Sequence, residues 1–339
     1  TQVDSIRAQS DTGWVCVISD DCSEPERFEE IAALVEGDER FIVTRSEEHL
    51  GFYRNFERAL ALAPVEAELI ALSDHDDRWY PDKLAALRDA LGSAQLVFSD
   101  LRRVDADGNV RSETLWEGRR NEHANLASLL VSNSIPGAAC MLRRSAVERA
   151  LPFPSGPGWD FHDHWLALVA LALGDVAYVD RPLYDYVQHP GAVLGRVASA
   201  AGPAPRPRLE ERRDFMRRWR SAYFSLYLQR VLLAQALLAR CEPELSARKG
   251  RALRLMVNAA GSPAAFAWLA LRPLRALAGR NETLRVEQVL VKGVLWRQLI
   301  ALRTLGRERP RSSDAGDASM PPVDPRSLGP RQRRWLARR

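Results

Sequence analysis

The sequence predicts an α/β fold with a mixed, mostly parallel sheet and flanking helices, followed by an α-helical C-terminal region. Three observations carry this. Short apolar runs alternate with helical patterns over about the first 190 residues, as strands do when crossover helices join them. Past a Pro-rich stretch the alternation gives way to long helical segments rich in Leu, Ala and Arg. The charge changes sign at the same place: residues 1–204 carry 19 Lys/Arg and 33 Asp/Glu, and residues 205–339 carry 29 and 11. The formal total of +4 therefore hides two regions, of net −14 and +18.

Each element has its own signal. Trp14–Ile18 reads as a buried strand. Pro25–Val35 has helical spacing, with Ser23 as N-cap and Glu26 completing a capping box. Phe41–Val43 is a second strand. Gly51–Leu62 is an amphipathic helix with Phe52, Phe56, Ala59 and Leu60 on one face. Leu69–Leu72 is a third strand that ends in an acidic cluster. Pro81–Leu91 restarts a helix, with Pro at a tolerated early position. Leu96–Phe98 is a fourth strand, and Asp107-Gly108-Asn109 is a hairpin turn. Four helices are expected near 210–241, 244–260, 264–279 and 282–305. The organisation is an α/β domain over 1–197, a linker over 198–209, a basic helical region over 210–305, and a disordered basic tail over 306–339.

Composition excludes other classes. At 46% hydrophobic and 27% charged residues, the chain can bury a core. Cys16, Cys22, Cys140 and Cys241 are far apart and lack zinc-type spacing, which fits a reducing compartment. The longest apolar run, Trp165–Leu173, falls short of the roughly 20 residues that span a bilayer. No signal-peptide pattern opens the chain, so a cytoplasmic location is expected.

Ligands of open α/β sheets bind beyond the carboxyl ends of the strands, and three acidic groups stand there. Asp74, Asp76 and Asp77 lie within four residues and repel one another unless a cation sits between them. A hard divalent ion held by one or two carboxylates and substrate phosphates is one solution; a solvated loop capping the next helix is the other. Asp20 and Asp21 either cap the following helix or bond a nucleoside. Asp163, between His162 and His164, is a metal ligand, a general base or a helix-start residue, and spacing alone does not choose.

Taken in order, these segments resemble the family 2 glycosyltransferases, inverting and usually metal-dependent enzymes of GT-A fold. The resemblance runs from Thr1 to about Gly195. It rests on W-V-C-V-I-S-D-D-C-S, H-L-G-F-Y-R-N-F, L-S-D-H-D-D-R-W-Y-P-D-K-L, V-F-S-D-L-R-R-V-D-A-D-G-N, G-A-A-C-M-L, H-D-H-W-L-A-L-V-A and Y-D-Y-V-Q-H-P-G-A-V-L-G. The closing segment, and His162 where many members have Glu, resemble a rhamnosyltransferase-like subgroup. The resemblance implies that Asp20 and Asp21 contact the donor nucleoside. Gly51, Arg54 and Asn55 would lie along its ribose and diphosphate. Asp74 and Asp76, with Asp77 adjacent, would hold Mg²⁺ or Mn²⁺. Asp163 would be the general base, and Asp74 and His189 would reach the metal or diphosphate. Trp159, His162 and Trp165 are candidates to contact sugar or acceptor, and Trp79 to stack on a sugar ring, with core packing as the alternative for each Trp. Thr1 falls in the family's first helix, so the family's first strand is expected to be lacking.

The activity so implied moves a sugar, rhamnose being a candidate, from a nucleotide-diphosphate donor to a saccharide or lipid-linked acceptor in bacterial cell-surface polysaccharide synthesis. The alternatives are an inactive homologue serving as scaffold, and a sugar nucleotidyltransferase, which needs a Gly-rich basic loop after its first strand. The basic region lies outside the resemblance. Its three functional readings are contact with an anionic membrane, docking onto the acidic domain, and nucleic-acid binding, the last disfavoured by the lack of a recognition motif. Solvated helix faces are the bland reading. Arg217, Arg218 and Arg220 around Trp219, and Arg333 and Arg334 beside Trp335, have interfacial composition. A peripheral location on the inner face of the plasma membrane follows if lipid is the partner.

Overall fold

The computed structural model describes residues 1–155, 161–188 and 208–305, with side chains except those of 208–214 and 303–305. The 198–209 linker falls mostly, and the 306–339 tail wholly, outside the described residues.

Helix α1 (Gln2–Arg7) opens the fold and leans on the segment after the third strand, where the Gln2 carboxamide meets Ser73 Oγ at 2.7 Å. Strands β1 (Cys16–Asp20) and β2 (Phe41–Arg45) pair in parallel as a sheet of their own, joined by α2 (Pro25–Leu34). The second sheet contains β3 (Leu69–Ala71), β4 (Arg78–Trp79), β5 (Leu96–Asp105), β6 (Val110–Ser112), β7 (Cys140–Arg143) and β8 (Val176–Gln188). Its order is β3-β7-β5-β8-β4, with β6 on β5.

The sheet is mixed, with less parallel pairing than the sequence predicts. Only β1–β2 and β5–β8 run parallel among the described pairs. The reason is β7, which runs back antiparallel between β3 and β5 and so separates two strands of like direction. The 107–109 turn does close a hairpin, β5 to β6. The Ser23 cap is not formed. Glu24 occupies the N-cap position of α2 without a side-chain bond, and the Ser23 amide instead donates to Asp20 Oδ2 at 2.9 Å. Pro25 opens the helix with φ already set and no N–H to satisfy, so a cap has less to do there.

The helical half follows the expected pattern closely. Helix α3 (Phe52–Ala61), α4 (Lys83–Leu91), α5 (Leu126–Val131), α6 (Arg144–Ala150) and α7 (His162–Leu173) belong to the first half. Helix α8 (Arg208–Ala222) runs through a π-helical turn (Tyr223–Tyr227) into α9 (Leu228–Cys241). Then come α10 (Ala247–Asn258), α11 (Pro263–Leu271), a 3₁₀ helix (Arg272–Ala278) and α12 (Val286–Leu305).

Phe215–Glu244 is long and apolar enough to cross a membrane by length and composition. Part of that composition serves packing. Leu233, Ala234, Leu237 and Cys241 are buried in the same core as α7, and α9 packs on α5, α7 and α10. Arg230, inside this stretch, is buried and donates Nε to Val131 O at 3.1 Å.

The helical region is therefore docked in cis onto the acidic half, one of the three readings of its charge. Its cations seek backbone oxygens there. Arg240 Nη1 donates to Ala150 O at 2.6 Å and Pro152 O at 2.8 Å, and Lys249 Nζ to Gly174 O at 2.8 Å. Ser128 Oγ on α5 receives Arg272 at 3.1 Å and Arg275 at 2.9 Å, and itself donates to Glu282 Oε1 at 2.9 Å. Arg272–Glu287 (3.3 Å) and Arg275–Glu282 (2.7 Å) keep these buried charges in pairs, which burial demands.

This shared core makes a prediction. A fragment ending at Gln188 leaves one side of α7 uncovered and will show no cooperative thermal transition by circular dichroism. A sharp melt near that of the full chain would show instead that the α/β half folds alone.

Candidate active site

Two clusters of polar side chains stand after the carboxyl ends of β1 and β3. The first stands at the end of β1. Asp20 is buried, bonded to the Ser23 amide and 3.7 Å from Arg45 Nε. It thus closes the turn between β1 and α2 rather than capping the helix, whose N-cap is Glu24. Asp21 accepts the Leu50 amide on Oδ1 at 2.7 Å and the Gly51 amide on Oδ2 at 2.9 Å. Oδ2 also has His49 Nδ1 at 3.0 Å, while Oδ1 keeps a second lone pair for a donor hydroxyl. Gly51 enters α3 at φ +79, in the region that favours glycine.

Asn55 sits one turn into α3 and exchanges two bonds with Ser19: its Nδ2 donates to Ser19 O at 2.7 Å and its Oδ1 accepts from Ser19 Oγ at 2.6 Å. Arg58 closes the group, donating to Ser19 Oγ at 2.6 Å and Arg45 O at 3.0 Å. Beside it opens a cleft of about 590 Å³ lined by Arg45, Ser46, Glu47, Glu48, Leu50 and Arg58, within the size range of small-ligand sites. Arg54 does not face this cleft. Its guanidinium bonds Phe153 O at 3.0 Å, Pro154 O at 3.4 Å and Ser155 Oγ at 2.7 Å, and pairs with Glu57. The expected diphosphate contact is thus replaced by fastening of the 153–155 loop, which offers more fixed acceptors than solvent does.

The second cluster follows β3. Asp74 is held up at about 6 by burial and by the neighbouring charge of Asp76. Asp77, expected beside the metal, is the most enclosed of the three carboxylates. It is buried, and its two oxygens have no hydrogen-bond partner among the described residues. Burial raises its carboxyl, and Lys83 is the cation that opposes the rise. Lys83 itself is fully buried: Nζ bonds Ala138 O and lies 3.9 Å from the Trp79 ring centre and 4.5 Å from that of Tyr184. Trp79 is a core residue holding this ammonium rather than a sugar platform.

Asp163 occupies the first turn of α7. Its Oδ1 accepts the His164 amide at 2.6 Å, and the Gly137 backbone and Asn133 side chain bond it as well. Despite these bonds its carboxyl is raised to about 7, chiefly by burial and further by the charge of Asp74. A helix N-terminus favours the ionised form by only about 0.3–1 kcal/mol, so desolvation wins. The loop before β7 can approach this closely because residue 137 is Gly; a Cβ there would lie 2.9 Å from His162 Nε2 and 3.2 Å from Asp163 Cβ.

His162 is buried and stacked on Phe56, ring centres 3.6 Å apart, and neither ring nitrogen has a partner among the described residues. The stack ties α3, which carries Gly51 and Asn55, to the turn that carries Asp163. Burial drives the His162 ring down to about 3, so it is neutral. Trp165 is not a sugar contact. It is 1% exposed, and its indole N–H donates to Ala150 O at 3.0 Å beneath Arg240. Trp159 and His189 lie outside the described residues.

A divalent cation fits the second cluster in chemistry. Among the described residues no three His, Cys, Asp or Glu converge on one point. One or two of the carboxylates Asp74, Asp76 and Asp77 would supply the hard oxygens that Mg²⁺ commonly takes when phosphates complete its shell. Asp74 is raised first by burial and then by the charge of Asp76, and a bound cation would oppose both.

Residues 2–151 match the family model of glycosyl transferase family 2. Over that stretch, a little under half of the chain, the sequence is similar to the family 2 glycosyltransferases. The enzyme is accordingly a glycosyltransferase, which sets aside the nucleotidyltransferase reading. Among solved structures, S. aureus TarS 1–349 is 12% identical with a TM-score of 0.51, covering 91% of this chain and 88% of that one. At such identity the likeness is one of fold, and its span takes in the helical half. The mannosyltransferase PcManGT from Pyrobaculum calidifontis, in complex with GDP-Man and Mn²⁺, is 16% identical with a TM-score of 0.40, covering 91% and 83%. No curated protein matches the chain.

Sequence reasoning missed Ser19, Arg58, Lys83, Asn133 and Gly137. Lys83 alone carried a signal, being the one Lys in the first 204 residues.

The raised Asp163 has a consequence for stability. Between its ordinary value of 3.8 and about 7 the folded chain holds a proton that the unfolded chain has released. Stability therefore falls as pH rises through that window and levels off above it. Asp163→Asn removes the penalty, so its melting temperature will exceed wild type near pH 8 and approach it near pH 4. An equal offset at both pH values, by calorimetry, would contradict the assignment.

Proposed function

We propose that the chain is an inverting sugar transferase using a nucleotide-diphosphate donor and a hydroxyl acceptor on a saccharide or lipid-linked glycan. Rhamnose is the favoured sugar, on the closing Y-D-Y-V-Q-H-P segment, and cell-surface polysaccharide synthesis at the cytoplasmic face of the membrane is the setting. The observation that carries the reading is Asp163: a carboxyl raised to about 7, in electrostatic reach of Asp74. A base with a pKa near the working pH combines a useful ionised fraction with real proton affinity.

In this reading the cleft beside Leu50 and Arg58 receives the nucleoside, with Asp21 bonding it. Asp74 and Asp76 hold Mg²⁺ or Mn²⁺. The bound ion would neutralise charge on the departing diphosphate. Asp163 takes the proton of the acceptor hydroxyl as its oxygen attacks the anomeric carbon from the face opposite the leaving group, which inverts that centre. His162, neutral and packed on Phe56, keeps the turn in place and brings no competing positive charge.

Two measurements test this. Asp163→Asn will lower kcat by about 10²–10⁴-fold while leaving metal-dependent donor binding intact, and in the wild type kcat/KM will rise with pH through about 7. Near-normal turnover in the variant would remove the base assignment. Asp76→Ala will weaken nucleotide binding in the presence of Mn²⁺ by roughly tenfold or more; unchanged affinity in calorimetry would remove the metal site. A panel of dTDP-, UDP- and GDP-sugars identifies the donor.

A further inference from the structure

The 3₁₀ helix Arg272–Ala278 continues directly from α11. In a 3₁₀ helix residues three apart eclipse one another, so this segment sorts its side chains by threes. Arg272 and Arg275 form one row and turn inward to Glu287 and Glu282. Leu271, Leu274 and Leu277 form another row and face water, at 59%, 56% and 84% exposure. The turn after it adds Leu284, at 57%. Leu284 and Arg285 are both held at positive φ, 51 and 60, a conformation rare for side-chain-bearing residues.

Along residues 271–285 the exposed charged side chains are of one sign. The acids of the segment, Glu282 and Glu287, are buried and paired with Arg275 and Arg272. Arg280 and Arg285 are exposed. The surface is thus a leucine row flanked by two guanidinium groups, on a region with a net charge of +18. Apolar side chains with adjacent cations suit the boundary of an anionic bilayer, where leucines enter the acyl edge and arginines meet lipid phosphates. A second copy is a poorer occupant. A twofold contact through this face sets each arginine pair near the same pair of its mate, with the excess positive charge of both regions opposing approach.

We propose that Leu271, Leu274, Leu277 and Leu284, with Arg280 and Arg285, seat the enzyme on an anionic lipid surface. The proposal goes beyond the reading of the active site and does not depend on Asp163 or the metal.

The test is flotation of the full chain with vesicles of phosphatidylcholine alone, or of equal parts phosphatidylcholine and phosphatidylglycerol. The wild type will float with the anionic vesicles and much less with the neutral ones. Leu274→Asp with Leu277→Asp will lower the anionic partition coefficient by roughly tenfold or more. Arg280→Gln with Arg285→Gln will remove most of the preference for anionic lipid. Transfer to a soluble acceptor will be unchanged in both variants, which separates failure here from failure of the active-site reading. The leucines already face water, so the melting temperature will hold; should the double variant melt early, Leu277→Ser alone carries the comparison. Equal flotation of wild type and leucine variants overturns the proposal. So does an absence of lipid binding together with a dimer that the leucine substitutions dissociate, which would assign the face to a second copy.

Discussion

A helix that is apolar all round must be covered all round, and α7 is such a helix. From His164 to Ala172 every side chain is buried. Helices α3, α5 and α6 and strand β5 cover part of it, and α9 from the C-terminal half covers more. The two halves of the chain, opposite in charge, are thereby one packed body over the described residues. Trp165, which composition offered as a sugar platform, belongs to this requirement: its ring fills the core and its N–H finds the Ala150 carbonyl.

The same enclosure sets the chemistry at the start of α7. Asp163 lies in the first turn of this enclosed helix, so it is desolvated yet bonded by the loop before β7. The flanking histidines are both driven down to about 3 by burial and stay neutral. His164 bonds Leu129 O at 2.7 Å, and His162 stacks on Phe56. Packing thus supplies a carboxyl with raised proton affinity and denies it a cationic neighbour. The helical half reaches this loop as well. Arg119 donates to Glu282 O at 2.8 Å on one side and to Asn133 O at 2.9 Å on the other, and Asn133 is a partner of Asp163.

Arginine explains how a basic region can dock without a matching acidic surface. Much of its bonding across the interface goes to backbone carbonyls at the ends of α6, α5 and α7. The last turn of a helix leaves carbonyls without an internal partner and carries partial negative charge. Guanidinium, weakly hydrated and with a fan of donors, can be buried against them. The acidic excess of the first half is therefore not what holds the second.

Periodicity and punctuation in the sequence determined the elements. The strands at Phe41 and Leu96, the helix after Gly51, the hairpin at Gly108 and the four C-terminal helices all follow from local spacing, which depends on neighbours along the chain. The aspartates at strand ends were legible for the same reason, since strand ends are read from where apolar runs stop. Tertiary structure alone decided what each of those residues does. It enclosed Asp77 within electrostatic reach of Lys83, bound Arg54 to the 153–155 loop, put Trp165 in the core and ran β7 antiparallel through the sheet. Each outcome depends on partners 6 to 101 residues away, and burial, which shifts the proton affinities of Asp74 and Asp163, belongs to no segment by itself.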